Sequence, residues 1–355
     1  MSKNTKKSSS SKKAADNEKV PNEILENQRT RVSVGNAGVE NTRGVYYSGA
    51  YTSLGYDNSF SLERFKKNFQ IKVLQDKPDH LVFEMIGVDA PIANALRRIL
   101  IAEIPTMAIE KVFIINNTSI LQDEVLAHRL GLIPIKVDPR KFNFKQASKE
   151  YTAEDTLIFK LNVRCYKDEN GETVNGTVTS GQLKWEPTED QESMFGENPE
   201  DFPRPVHDDI PIVKLRPGQT VDIQLYCEKN IGREHIKWSP VGTASYRLMP
   251  DITVDSSKFD KKQAEKLKAT CPKNVFDIED SYQVIAARPL DCTMCRECIR
   301  DPEFENVVKL ERIRDHFIYS IESLGALPPK VLFQEAIKIL IEKCDDIENS
   351  LKEMM

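Results

Sequence analysis

The sequence lacks the apolar segments that membrane or secreted proteins carry. No run approaches the roughly 20 apolar residues that a helix needs to cross a bilayer. The first residues, MSKNTKKSSSSKKAADNEK, contain no apolar segment of the kind found in secretory signals. We therefore expect a protein that neither spans a membrane nor is secreted.

Motifs of common enzymes are also missing. There is no P-loop, no G-x-G-x-x-G after a predicted strand and no G-x-S-x-G. The five histidines are scattered, without the spacing of metal ligands or of a local nucleophile motif. The sequence therefore predicts no catalytic residue.

Charge and cysteine content restrict the partners and the compartment. The net charge of −5 and the absence of a basic face interleaved with aromatic residues give no reason to expect sequence-specific nucleic-acid binding. Seven cysteines, an odd number without a secretory signal, favour a reducing compartment. At 355 residues the chain is long enough for two domains with buried cores.

The pattern along the chain predicts an α+β protein. Residues 1–57 are rich in Ser, Lys, Asn and Gly and lack periodicity, so we expect a disordered or extended tail. Strand and helix patterns follow, and SILQDEVLAHRLG opens with a predicted capping box of Ser119 and Gln122. Residues 138–301 contain strand-like runs separated by long polar loops, which indicates a β-rich insert. The pattern of strand and helix then returns.

The stretch DAPIANALRRILIAEIP predicts a strongly apolar helix that contains two arginines. Arg97 and Arg98 lie in the middle of its apolar repeat. One interpretation is that their long stems let the guanidinium groups reach solvent. The other is a contact with another subunit, for which the planar guanidinium is suited.

The C-terminal helix predicted after Pro328 and Pro329 carries a heptad seam. Its apolar positions step alternately by four and three residues: Phe333, Ile337, Leu340, Cys344, Ile347, Leu351 and Met354. Such a stripe commonly packs on its own domain. Because the seam runs almost to the last residue, little of the chain remains to cover it, and we favour a partner helix.

Three cysteines in DCTMCRECIRDP have the spacing of an iron–sulfur site. In the bacterial ferredoxin run C-x2-C-x2-C-x3-C-P, the fourth cysteine ligates the other cluster, so the ligand missing here should be a remote Cys followed by Pro. Cys271, followed by Pro272, meets this description. The predicted metal ligands are the four cysteines Cys271, Cys292, Cys295 and Cys298.

A second cluster is excluded by the residues present. Pro302 stands where the fourth cysteine of the run would be, and Lys261, Ala264 and Leu267 occupy the positions of the second motif. One 4Fe–4S or 3Fe–4S cluster is the favoured cofactor. Zinc, which prefers paired C-x2-C units, is a weaker alternative, and a vestigial site without metal is the third.

Three segments together resemble the α-like subunits of RNA polymerase. They are DAPIANALRRILIAEIPTMAIEKVFIINNTSILQDEVLAHRLGLIPIKVDP, HIKWSPVGTASYRLMP and RIRDHFIYSIESLGALPPKVLFQEAIKIL. The resemblance covers residues 58–355. The RNA polymerase II member of this family resembles it but has a cysteine-rich zinc loop after HRLGLIPI, and this sequence has no such loop there. The sequence is therefore similar to the larger α-like subunits shared by RNA polymerases I and III.

The resemblance implies a discontinuous dimerisation domain, with an antiparallel sheet and helices, at residues 58–137 and 302–355. The insert at 138–301 would carry a ferredoxin-like cysteine module at 255–301, as in some archaeal relatives. The smaller α-like subunit would bind the C-terminal seam. Asn94, Arg97 and Arg98 would lie on a helix used in these contacts.

The function implied is that of a non-catalytic assembly subunit. The heterodimer with the smaller subunit would nucleate binding of the second-largest catalytic subunit, then of other core subunits, in the nucleus and nucleolus. The products of those polymerases would be rRNA precursors, 5S rRNA and tRNA. A stand-alone ferredoxin-like redox protein is the alternative, but a single incomplete motif occupies little of the chain.

Overall fold

The computed structural model describes residues 22–42, 52, 57, 59–146, 150–188, 191–196, 198–255, 257, 259–280 and 282–354. The helices are α1 (Asn22–Thr30), α2 (Leu62–Asn68), α3 (Ala90–Ala102), α4 (Asp123–Gly131), α5 (Lys261–Thr270), α6 (Glu297–Arg300) and α7 (Pro329–Met354). None of these helices has the length and apolar character required to span a membrane.

The described residues contain both long and short strands. In chain order the strands are β1 (Arg31–Val34), β2 (Val39–Glu40), β3 (Gln70–Asp76), β4 (His80–Ile86), β5 (Pro105–Asn117), β6 (Ile135–Lys136), β7 (Thr156–Arg164), β8 (Tyr166–Lys167), β9 (Thr173–Val174), β10 (Thr177–Thr179), β11 (Lys184–Glu186), β12 (Arg204–Pro205), β13 (Pro211–Lys214), β14 (Thr220–Ile231), β15 (Val241–Val254), β16 (Phe276–Ile278), β17 (Val284–Ala286) and β18 (Val308–Ser323). Every pair whose register is resolved is antiparallel, which confirms the α+β class.

The chain divides into two compact units. We call the described residues within 61–248 and 315–354 the helix unit, and the described residues within 22–60 and 249–314 the cysteine unit. This division differs from the expected one, because residues 138–248 of the predicted insert group with the helix unit. Strand pairing explains the difference: β7, from the insert, pairs along β14, which also pairs along β5 of the predicted dimerisation domain.

One core of the helix unit lies between a sheet and two helices. Within this unit β3, β4 and the final residues of β18 follow the order β18–β4–β3, and β15, which also pairs with β18, buries Val241 and Ala244 in this core. α3 buries Ala93, Leu96, Ile99 and Leu100, the apolar face of its helical repeat. α7 buries Leu332, Phe333 and Ala336 in the same core.

A second core of the helix unit lies under the sheet ordered β11–β7–β14–β5. β14 alternates buried and half-buried residues along most of its length, as expected of a strand with one covered face. α4 closes this core with Leu126 and Leu130, both fully buried. Long antiparallel pairing rather than local propensity therefore organises this part of the insert.

The predicted capping box of α4 is wrong. The helix begins at Asp123, and Gln122 is its N-cap residue without a side-chain capping bond. The hydroxyl of Ser119 donates to Asn117 Oδ1 at 2.7 Å and accepts from the Leu121 N–H at 3.2 Å. Ser119 therefore forms a local turn before the helix, a competing use of serine that sequence spacing does not reveal.

Residues 22–42 differ from the expected tail, because they form α1, β1 and β2. β1 pairs with β18, with Arg31 opposite Ile313. Arg31 Nε also donates to Asp251 Oδ2 at 2.7 Å, and Asn27 Nδ2 donates to Glu311 Oε1 at 2.9 Å. Pairing with residues far along the chain therefore orders this segment, although its own sequence shows no periodic pattern. Residues 1–21, 43–51 and 53–56 of the expected tail lie outside the described residues.

The cysteine unit contains its own core, which includes Val34, Ala264, Leu267, Phe276, Phe304 and Leu310. β16 and β17 pair antiparallel, with Phe276 opposite Ala286, and form a hairpin between Cys271 and Cys292. Ala264 and Leu267 are fully buried on α5. An apolar helix face thus occupies the place where a second cluster motif would stand.

Replacing Phe333 should test how α7 is anchored. Phe333 lies 4.9 Å from Phe83 between ring centroids, so we expect Phe333→Ala to lower the free energy of unfolding by about 3–5 kcal/mol. Ile347→Ala, at an exposed position of the same helix, should change it by less than about 0.5 kcal/mol. Urea unfolding followed by circular dichroism measures both. Equal effects would contradict this anchoring.

Candidate functional site

The predicted arginine pair occupies the middle of α3, and its two members differ in environment. Arg97 is half-buried, and its Nε and Nη2 donate to Asn94 Oδ1 at 3.1 and 3.0 Å. Arg98 is exposed and makes no hydrogen bond or ion pair within the described residues. The structure therefore brings Asn94 and Arg97 together and leaves Arg98 available at the surface.

Arg97 also lies close to a fully buried aromatic residue, Tyr319. The Tyr319 hydroxyl donates to the Ala93 carbonyl oxygen at 3.1 Å. Burial raises the pKa of Tyr319, and the nearby Arg97 guanidinium opposes that rise. The hydroxyl is thus a neutral donor that fixes the first turn of α3 on β18.

The first half of α7 belongs to the core of its own chain. Phe333 contacts the rings of Phe83 and Tyr319, with centroid distances of 4.9 and 6.2 Å. Leu340 is half-buried against the same core. Phe333 was expected to bind a partner, but its packing makes it the anchor of the helix. The heptad spacing could not separate these roles, because both use the same stripe.

The second half of α7 has no cover within the described part of the chain. Every residue from 341 to 354 is exposed. At about 1.5 Å per residue, this segment forms roughly 21 Å of helix. The last contact that ties the helix down is the ion pair of Lys343 with Glu103. This half of the helix projects its apolar residues into solvent.

Most of the predicted seam lies on this projecting half. Ile347 and Leu351 are 63% and 53% exposed, and Ile337 and Cys344 are also exposed. Ile341, which the heptad prediction omitted, is exposed as well. Its position four residues after Ile337 is the signal that could have included it. An exposed apolar stripe of this length is typical of a helix that binds another protein.

The four predicted metal ligands line one cavity of the cysteine unit. Cys271 follows α5, Cys292 and Cys295 lie in the loop after β17, and Cys298 is on α6. Cys298 is buried, Cys271 and Cys292 are half-buried, and Cys295 is exposed. The structure therefore gathers these four cysteines, whereas Cys165, Cys227 and Cys344 belong to the helix unit.

Backbone geometry shapes the cysteine cavity. The Val275 N–H donates to Cys271 Sγ, and the Met294 N–H donates to Cys292 Sγ, both at 3.4 Å. Met294 and Arg296 have φ angles of 55° and 65°, in the left-handed region that residues other than glycine rarely adopt. Such backbone strain concentrates at functional sites.

In this structure the thiols of the four cysteines are not arranged as a metal site. Among the residues that the structure describes, no group of three or more His, Cys, Asp or Glu side chains could hold a metal ion. Burial, followed by the other three thiols of the cavity, raises the pKa of Cys298 to about 12. A ligand at this cavity would therefore have to displace protons, which couples its binding to pH.

Comparison with known proteins gives one family. The sequence profile of the RNA polymerase Rpb3/Rpb11 dimerisation domain matches residues 82–344. This match covers most of the chain and includes α3 and the larger part of α7.

Relatives over nearly the whole chain carry consistent names. The chain is similar to DNA-directed RNA polymerases I and III subunit rpac1 of Dictyostelium discoideum, with 71% identity over 93% of this chain and 96% of the relative. Identity to subunit RPAC1 of Homo sapiens is 46%, over 91% and 95% of the two chains. RNA polymerase II subunit rpb3 of Dictyostelium discoideum is 32% identical, over 84% and 99%.

Alkylation of the reduced, metal-free chain should follow burial. We expect iodoacetamide to modify Cys295 and Cys344 first, because both are exposed, and to reach Cys165, Cys227 and Cys298 only after unfolding. Burial also raises the pKa of Cys227, so little of the reactive thiolate forms there at neutral pH. Peptide mass spectrometry over time measures the order. Rapid labelling of Cys298 in the folded chain would contradict this structure of the cavity.

Proposed function

The chain belongs to the RNA polymerase Rpb3/Rpb11 dimerisation-domain family, and from this premise we propose that it is a non-catalytic assembly subunit of RNA polymerases I and III. The names of its similar relatives support this choice of polymerases, as does 71% identity to one of them against 32% to the RNA polymerase II subunit of the same organism. The role is one of binding, in line with the absence of common catalytic motifs from the sequence.

The partner that we propose for the projecting half of α7 is the smaller α-like subunit. The observation that carries the proposal is the exposed apolar stripe along residues 341–354, at the end of a helix anchored by Phe333. Burial of apolar surface on a partner contributes about 25 cal/mol per Å² before the costs of association. A partner helix that covers Ile347 and Leu351 would gain this contribution.

The heterodimer would then nucleate binding of the second-largest catalytic subunit and other core subunits. Arg98 is the candidate contact for a further subunit, because it is exposed on a helix whose other face is buried in its own core. The products of these polymerases would be rRNA precursors, 5S rRNA and tRNA, and the protein would act in the nucleus and nucleolus. The family match over residues 82–344 does not support the alternative of a stand-alone ferredoxin-like protein.

We further propose that the four-cysteine cavity holds a single iron–sulfur cluster of the 4Fe–4S or 3Fe–4S type. Cys271, Cys292, Cys295 and Cys298 would be the ligands, and thiolates are the ligands that such clusters use. The N–H groups directed at Cys271 and Cys292 support the proposal, because hydrogen bonds to sulfur tune these sites. A bound cluster would cross-link the loops around the cavity and add redox chemistry.

Charged substitutions on the projecting helix test the assembly role. We expect Ile347→Glu with Leu351→Glu to prevent formation of a 1:1 complex with the smaller α-like subunit, because two carboxylates would be buried without partners. Asn349→Glu, on the opposite side of the same exposed turns, is the matched control. Co-purification and analytical ultracentrifugation measure the complex. A normal complex with the double variant would contradict the proposed seam.

The cluster proposal is tested by anaerobic purification. We expect iron and acid-labile sulfide in near-stoichiometric amounts together with a brown visible spectrum, and we expect Cys292→Ser to lose both. Cys344→Ser should retain them, because Cys344 lies on α7 in the other unit. Colourless protein that contains stoichiometric zinc, or no metal at all, would refute the cluster.

A further inference from the structure

The hairpin of β1 and β2 lies against α6, the short helix of the cysteine cavity, and the proposed function does not use this contact. Val34 lies opposite Val39, and the Gly35 N–H donates to the Gly38 carbonyl oxygen at 2.9 Å. Residues 35–38 therefore form the tip of the hairpin, which we call the arm tip. The hairpin and the cavity belong to the same cysteine unit.

The base of the hairpin is fixed within this unit. β1 pairs antiparallel with β18, and Ser33 lies opposite Glu311. Val34, the last residue of β1, is only 7% exposed and packs in the core that also contains Cys298 and Ile299. Strand pairing and the burial of Val34 therefore hold the arm tip beside α6.

Polar contacts join the arm tip to α6. Asn36 Nδ2 donates to the Ile299 carbonyl oxygen at 2.7 Å and to Glu305 Oε1 at 3.3 Å. In return, Arg296 Nη1 donates to the Asn36 carbonyl oxygen over a longer distance, 3.5 Å. Arg296 directly precedes α6 and lines the cavity. Asn36 thus contacts both ends of the turn that carries Cys298.

α6 needs such support because it is a single turn. It spans Glu297–Arg300, and the first turn of a helix is unfavourable to form without other contacts. The last four carbonyl groups of a helix have no donor within it, and the Ile299 carbonyl is one of them. At the other end, Arg296 makes no side-chain capping bond. The Asn36 amide, from a segment 263 residues away in the sequence, therefore supplies a cap that α6 lacks.

The loop before α6 also depends on contacts from outside itself. Met294 and Arg296 have positive φ angles, and such conformations cost free energy and persist only where the surrounding structure holds them. Release of the arm tip removes the contact between Arg296 and Asn36. The loop is then free to relax away from the geometry that it has around the cavity.

We propose that the hairpin of β1 and β2 is a clasp that closes the cysteine cavity, with Asn36 as its positioning residue. With the arm tip in place, Cys298 is only 7% exposed, although Cys295 nearby is exposed. When the arm tip leaves Ile299, α6 loses its cap and Cys298 becomes accessible to solvent. The clasp acts on the thiols themselves, so it does not depend on which ligand the cavity holds.

Alkylation of the reduced, metal-free full chain tests the clasp. Asn36→Asp keeps the shape of the side chain but removes the N–H donor. We expect it to raise the rate at which iodoacetamide modifies Cys298 about three- to tenfold, the effect of one lost hydrogen bond on the population of the open turn. Asn36→Ala, which adds no charge near Glu305, should act in the same direction. Glu40→Gln, at an exposed position of β2, is the matched control and should leave the rate unchanged.

A second measurement separates local opening from general loss of stability. In the Asn36 variants, hydrogen exchange of the α5 amides and alkylation of Cys165 and Cys227 should match those of the wild type, because the clasp holds only α6 and its loop. An unchanged rate at Cys298 would overturn the clasp. Faster exchange throughout α5, in step with faster labelling of Cys298, would also overturn it, because Asn36 would then stabilise the whole unit.

Loss of the cluster provides another arm, which rests on the proposed function because it requires the cluster to be present. In anaerobically purified protein treated with an iron chelator, the brown spectrum of Asn36→Asp should fade about three- to tenfold faster than that of the wild type, for the same reason. Equal rates would contradict the clasp. Wild-type protein without a cluster would refute the cluster proposal instead, and the alkylation rates of Cys298 would then decide the clasp alone.

Discussion

The contact of Phe333 with Phe83 and Tyr319 determines where the long C-terminal helix lies, and the direction of its exposed half depends on that position. These rings come from α7, β4 and β18, and the Tyr319 hydroxyl adds α3 through the Ala93 carbonyl. Aromatic pairs of this kind contribute about 0.5–1.5 kcal/mol beyond the burial of their area. The projecting half of α7 is therefore held by a rigid base and presents its apolar residues in a fixed direction.

Two exposed apolar surfaces of the helix unit are related by this arrangement. One is the projecting half of α7, and the other is the pair Ile71 and Val73 on β3, with Val73 opposite Phe83. Each would be an aggregation hazard in a protein that worked alone. Exposed apolar surfaces of this kind are typical of proteins that bind partners, which agrees with membership of a dimerisation family.

The cysteine cavity lies in a unit with its own core, separate from the seam in sequence and in packing. α5 buries Ala264 and Leu267 where a second cluster would require ligands. One cluster without a neighbour is poorly suited to pass electrons onward, so its proposed contribution is to the folding and rigidity of the loops around it. Ligand binding that occurs only in the folded state adds directly to stability.

The sequence alone was sufficient to predict the α+β class, α3, α7 and the set of four cysteines, because apolar periodicity and cysteine spacing are local properties. Tertiary structure decided which seam residues are free: Phe333 and Ile347 share one stripe, but only Phe333 meets the rings of β4 and β18. It also decided that residues 22–42 are ordered and that Ile71 and Val73 are uncovered. These outcomes depend on contacts between residues far apart in the chain. Local sequence patterns do not specify which distant residues make those contacts.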